Sequence, residues 1–178
     1  TNLTKDWDES VTGSVFWSQD SKMIYFNTAF RGTTQLFSLN PKTAKISQIT
    51  KGDFDVTDIF ADQKNSLLVT RTDMNHSADL FSVDLKNGAM KQVTEVNKEN
   101  YSKITPSKTE LKMVKTTDGK EMGVWFIYPP NFDPNKKYPT LLYCQGGPQS
   151  ALTQFFSTRW NFALMAANDY IVVAPNRR

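Results

Sequence analysis

Residues 36–50 and residues 80–94 are two copies of one phrase, aligned without a gap 44 residues apart. Leu36-Phe37-Ser38-Leu39 recurs as Leu80-Phe81-Ser82-Val83, and Lys42, Gln48 and Thr50 recur as Lys86, Gln92 and Thr94. Upstream, Trp17-Ser18-Gln19-Asp20-Ser21-Lys22 before Met23-Ile24-Tyr25-Phe26 parallels Phe60-Ala61-Asp62-Gln63-Lys64-Asn65 before Ser66-Leu67-Leu68-Val69. Short runs of β-branched and aromatic residues between turn residues are strand chemistry. A repeat of roughly 40–50 residues holding about four such strands marks the blades of a β-propeller.

A third mark extends the pattern toward the amino terminus. Leu3-Thr4, Ile49-Thr50 and Val93-Thr94 each pair an apolar residue with Thr, as blade endings. Lys5-Asp6-Trp7-Asp8 follows the first, and Lys51-Gly52-Asp53-Phe54-Asp55 follows the second. Residues 1–100 therefore read as a partial propeller of about two blades, opening on the last strand of another. Two blades cannot close a ring that needs about four to eight, so the chain is expected to be a piece of something longer. Taken alone, this half is a meander scaffold without chemistry. His76, the only histidine, lies in a polar stretch and reads as an exposed loop residue. No second His or Cys cluster stands beside it, so no metal site is expected.

After Thr94 the phrase stops, and residues 101–178 change character. Residues 95–110 are polar and contain Pro106, as a crossing between domains does. Residues 111–114 and 123–128 are strand-like and flank Asp118-Gly119, a strong hairpin signal. Residues 129–135 hold three prolines and form a loop. Residues 141–144 are an unbroken apolar run, short enough for a strand buried on both faces. That run ends on Gln145-Gly146-Gly147-Pro148. Paired glycines reach backbone angles closed to other residues and let a second molecule approach the main chain.

Residues 155–168 carry a helical pattern with Phe156, Trp160 and Leu164 on the packing face and Thr158 or Asn161 as the cap. Residues 170–175 form a second buried strand. Strand, loop, helix and strand make a βαβ unit, which implies a parallel sheet. In α/β folds such a loop offers backbone N–H groups to a ligand at a strand's carboxyl end.

Composition narrows the function classes. Twelve Phe and four Trp in 178 residues argue against disorder. A net charge of +3, with Lys and Arg interleaved among Asp and Glu, leaves no phosphate-binding stripe, so no nucleic-acid partner is expected. No apolar run approaches the ~20 residues that span a bilayer. Cys144 is the only cysteine, so no internal disulfide forms.

Propeller blades followed by an α/β unit that starts on Gly-Gly-Pro resemble the prolyl oligopeptidase family of serine peptidases. The match is specific at residues 138–148, at Arg159-Trp160-Asn161 and at residues 170–178. Among its branches the chain is most similar to bacterial dipeptidyl aminopeptidases, of the dipeptidyl-peptidase IV and V kind. The resemblance implies the first βαβ unit of an α/β-hydrolase domain in residues 101–178, and a serine hydrolase whose propeller admits only short peptides. It implies no cofactor, leaves a homodimer open, and places the protein in the periplasm, with the cytoplasm as the alternative. The family's nucleophile, acid and base lie beyond the Gly-Gly-Pro loop, and no Gly-x-Ser-x-Gly elbow occurs in these residues. What carries over is the oxyanion loop, Gln145, Gly146 and Gly147. Many relatives have His before the glycines, and mammalian-type dipeptidyl peptidases have Tyr, so Gln145 is a departure. Its amide could donate to the oxyanion or could orient the loop; orientation is the favoured reading, with backbone N–H groups as the main donors.

The expected activity is release of dipeptides from peptide N-termini by acyl transfer through a serine. Two other readings stand beside it. One is a non-catalytic propeller module that binds a peptide or protein. The other is an acylaminoacyl or ester hydrolase on the same scaffold, since an oxyanion loop does not set the leaving group.

Overall fold

The computed structural model describes residues 2–11, 13–63, 65–146 and 150–176. Two antiparallel meanders come first. One runs β1 (Val15–Trp17), β2 (Ile24–Phe30), β3 (Thr33–Asn40) and β4 (Lys45–Gln48). The other runs β5 (Asp55–Gln63), β6 (Ser66–Asp73), β7 (His76–Asp84) and β8 (Met90–Gln92). Their correspondence explains why Thr recurs. The Thr50 hydroxyl accepts from Leu36 N–H at 2.9 Å and donates to Gln35 Oε1 at 2.8 Å. In the second copy the Thr94 hydroxyl accepts from Leu80 N–H at 2.9 Å and donates to Asp79 Oδ1 at 2.6 Å. A clasp of one hydroxyl on the middle of the third strand thus closes each meander. Leu3-Thr4 does not repeat it: this stretch runs as a turn, with Thr4 N–H and hydroxyl both donating to Asn2 Oδ1.

The meanders pack face to face. Tyr25 and Leu36 from the first join Phe54, Val56, Ile59, Leu67, Val69 and Val83 from the second in one buried cluster. The Asn27 amide crosses the same seam, donating to the Val56 and Thr57 carbonyls at 2.7 and 2.8 Å. Each buried apolar side chain contributes about 1.5–3 kcal/mol and each hydrogen bond about 1 kcal/mol. Burial therefore holds the two sheets together, and Asn27 fixes how they are aligned.

The polar crossing contains a single helical turn, α1 (Lys98–Tyr101). The third sheet follows. Its hairpin pairs β9 (Thr109–Lys115) with β10 (Glu121–Ile127), around a tip where Gly119 takes φ +80 and donates to the Thr116 carbonyl. Asp118-Gly119 thus marks a turn that needs a positive φ, as its sequence implies. Next come β11 (Thr140–Leu142), α2 (Phe162–Ala166) and β12 (Ile171–Pro175). Sheet order is β11-β12-β10-β9: β11 and β12 are parallel, and β12 is antiparallel to β10. Among the described residues there are three four-stranded sheets, none closed into a barrel.

Three expectations for this half need correction. The sheet is mixed, not parallel, because the 109–127 hairpin occupies the other side of β12. The apolar strand is not buried on both faces: β11 is the edge of its sheet, and Leu142 is 59% exposed. The helix covers only Phe162–Ala166, where the expected pattern ran over residues 155–168. Asn161 is its cap, accepting from Leu164 N–H at 2.8 Å. Its buried face is Phe162 and Ala166, while Trp160 and Leu164 are 45% and 64% exposed. Residues 154–160 are extended and irregular because their start is tied to the second meander, as described next.

Candidate active-site loop

The glycine loop leaves the carboxyl end of β11. Tyr143 continues the pairing for one residue, donating its N–H to the Val173 carbonyl at 2.9 Å. Its ring meets Phe162 edge-on, with centroids 4.8 Å apart. Gln145 then turns inward and donates from Nε2 to Ser150 Oγ at 2.6 Å, bracing the base of the loop. Its Oε1 is buried with no hydrogen-bond partner among the described residues. Gly146 is exposed, and a Cβ added there would meet nothing within 4 Å. Gly147, the other expected oxyanion glycine, and Pro148 lie outside the described residues.

The return limb, residues 150–154, is held far more tightly than the outgoing one. Asn176, just past β12, accepts from Leu152 N–H at 2.5 Å and donates to the Leu152 carbonyl at 3.0 Å. Trp125 on β10, itself 1% exposed, donates from Nε1 to that same carbonyl at 3.1 Å. The next two residues reach across to the meanders. The Thr153 hydroxyl donates to Asp55 Oδ2 at 2.5 Å, and Gln154 N–H donates to Asp55 Oδ1 at 3.1 Å. Thr34 N–H, on β3, donates to that oxygen too, at 2.7 Å. Gln154 completes the join, accepting from Met74 N–H at 3.1 Å and donating to Thr109 Oγ1 at 3.2 Å. Around the knot Met74 packs with Trp125, Ile127, Leu152, Phe162, Ala166, Val172 and Ala174.

Asp55 is 2% exposed. Burial pushes its carboxyl up to about 6, against the pull of bonds from Thr153, Thr34 and Gln154, and the Asp73 charge adds to the rise. Sequence reasoning missed Asp55, Thr153, Gln154 and Asn176. One signal was available: Asp55 closes the repeated Lys-to-Asp phrase and opens a strand, where a charged residue needs partners. His76 lies where it was expected, exposed in the β6–β7 turn. Its Nδ1 is 2.8 Å from Asp73 Oδ1, which raises its pKa above the ordinary value, and its ring meets Tyr101 edge-on. Among the described residues no group of three or more His, Cys, Asp or Glu could hold a metal ion, and no helix is long and apolar enough to cross a membrane.

Comparison with known proteins places this arrangement. The family described as the dipeptidyl peptidase IV (DPP IV) N-terminal region matches residues 1–123. Dipeptidyl-peptidase 5 of Porphyromonas gingivalis is 45% identical over 99% of the chain, and that of Aspergillus fumigatus is 34% identical over 98%. The chain spans about a quarter of the length of these curated relatives, 26% and 24%. Among solved structures, an acylaminoacyl peptidase of Pyrococcus horikoshii matches all of the chain with a TM-score of 0.82 at 22% identity, the chain covering 26% of it. The dipeptidyl peptidase 4 of Porphyromonas gingivalis matches 96% of the chain, over 24% of its own length, at 0.65 and 17% identity.

Proposed function

Since the chain belongs to the dipeptidyl peptidase IV N-terminal region family, within the prolyl oligopeptidase peptidases, we propose that it is part of a longer serine exopeptidase that releases dipeptides from the N-termini of short peptides. In this reading residues 1–100 are propeller blades, and residues 101–178 open an α/β-hydrolase domain, with β11, α2 and β12 as its first parallel unit. The observation that carries the reading is the 45% identity to a dipeptidyl-peptidase 5, sustained from the meanders through the glycine loop.

The chemistry assigned to the loop is electrostatic. A serine supplied from elsewhere in the protein attacks the scissile carbonyl, and the carbonyl oxygen gains charge. Backbone N–H groups at Gly146 and Gly147 stabilise that charge, and one such donor is worth about 2.7–4 kcal/mol in the transition state. The bond from Gln145 Nε2 to Ser150 supports a bracing role for this side chain over direct donation. A periplasmic site of action belongs to the same reading, and fractionation of cells checks it.

Assay of the full-length protein on dipeptidyl chromogenic substrates tests the proposal. Turnover should require a free N-terminus and disappear with a serine-directed inhibitor, whereas the 178 residues alone should give none. Preference for N-acylated substrates would favour an acylaminoacyl peptidase. Absence of both turnover and inhibitor labelling would leave a binding module.

A further inference from the structure

We infer that Asp55 is a positioning residue for the proposed peptidase, setting the aim of the glycine loop through Thr153 and Gln154. The inference rests on the reading of residues 145–147 as an oxyanion loop. Its ground is the asymmetry between the loop's two ends. The outgoing limb leaves an edge strand, and past Tyr143 the Gln145–Ser150 bond ties the loop only to itself. The return limb is fastened to every other layer. Asn176 and Trp125 fix Leu152 within its own sheet, and Asp55 fixes the following two residues to the second meander. With Thr34 on the same carboxylate, a single side chain joins both meanders to the loop. A displacement of the return limb by about 1 Å would carry the loop's N–H groups off the developing oxyanion, an error that costs up to about 100-fold in rate.

The bonding pattern separates placement from charge. Both N–H donors, Thr34 and Gln154, meet Oδ1, and only the Thr153 hydroxyl meets Oδ2. An Asn at position 55 keeps an acceptor oxygen for the two N–H groups, and its amide can donate to a hydroxyl that turns to accept. Asp55→Asn therefore preserves the geometry, and Asp55→Ala abolishes it.

The test is steady-state kinetics on the full-length protein with active sites counted by a serine-directed inhibitor, so that misfolded molecules are excluded. Asp55→Ala should lower kcat per site about 10- to 100-fold with KM within about threefold, and Asp55→Asn should stay within about threefold of wild type in both. Thr153→Val, which removes one donor from an otherwise intact knot, should fall between them and serves if Asp55→Ala does not fold. Unchanged kcat per site in Asp55→Ala or Thr153→Val overturns the inference, as does an Asp55→Asn loss as deep as that of Ala. Gly146→Val is the companion measurement. If it leaves kcat unchanged, the oxyanion reading itself fails; if it lowers kcat while the Asp55 and Thr153 variants do not, only the positioning role fails.

Discussion

Asn176 holds Leu152 by both backbone polar groups, taking its N–H on Oδ1 at 2.5 Å and giving Nδ2 to its carbonyl at 3.0 Å. The pairing imitates one rung of a β-ladder and lets a single side chain stand where a strand would otherwise be needed. Asn176→Ala leaves a half-buried N–H without its acceptor and should cost about 1–3 kcal/mol. Asn176→Asp keeps that acceptor, and the carbonyl retains Trp125, so its loss should be smaller. Urea-denaturation midpoints of the two variants rank them.

Thr50 and Thr94 do the same work in different surroundings. Thr50 is fully buried and Thr94 is half-buried. Thr50→Val strands Leu36 N–H and the Gln35 oxygen inside the seam, for about 1–3 kcal/mol. Thr94→Val should cost less, because water reaches the groups it releases. The same denaturation series measures both, and equal losses would contradict the burial difference.

Gly88 sits at φ +71, and a Cβ there would stand 2.1 Å from the Ile49 carbonyl oxygen of the first meander. Backbone cannot swing aside as a side chain does. Gly88→Ala should destabilise by about 1–3 kcal/mol through overpacking alone, with a further penalty for the left-handed conformation. A fall in thermal midpoint checks it, while Gly119→Ala, strained but with no atom within 4 Å of the new Cβ, should fall less.

The carboxyl of Asp55 gives the stability an unusual slope with pH. In the folded chain it holds its proton up to about pH 6, and an unfolded Asp releases it near 3.8. Between those values folding takes up a proton, so this group's contribution falls as the pH rises from about 4 to 6 and is level above. His76 acts in the same direction. Asp73 raises its pKa, so its contribution is full below about 6.5 and is lost as the pH climbs through the folded value. Asp55→Asn removes the first slope and keeps the second. Relative to wild type it should gain stability between pH 4 and 6, on the order of 3 kcal/mol. Chemical denaturation at pH 4, 5, 6 and 7 reads the difference, and parallel curves would count against it.

The meanders were legible because a repeat states each strand twice. Leu36 and Leu80, with their Thr partners, fix the same rung in both copies. The third sheet was harder to read. Apolar residues 141–144 look alike whether a strand is central or marginal, since sequence does not show which neighbours flank it. Phe156, Trp160 and Leu164 have helical spacing, yet Asp55 and Met74 tie residues 153–154 into an extended conformation, and a helix starts only at the Asn161 cap. The loop glycines were found from local chemistry. Asp55 was not, because the pairs it forms lie almost a hundred residues apart and only folding brings them together.

With β12 on one side of β11 and no strand on the other, Thr140, Leu141 and Leu142 present an open row of main-chain groups flanked by two leucines, 37% and 59% exposed. Such a row accepts any extended peptide as readily as a native neighbour. Handled by itself, the 178-residue polypeptide should therefore stick to its own copies as concentration rises, and a lysine in place of Leu142 should keep it dispersed without disturbing either meander.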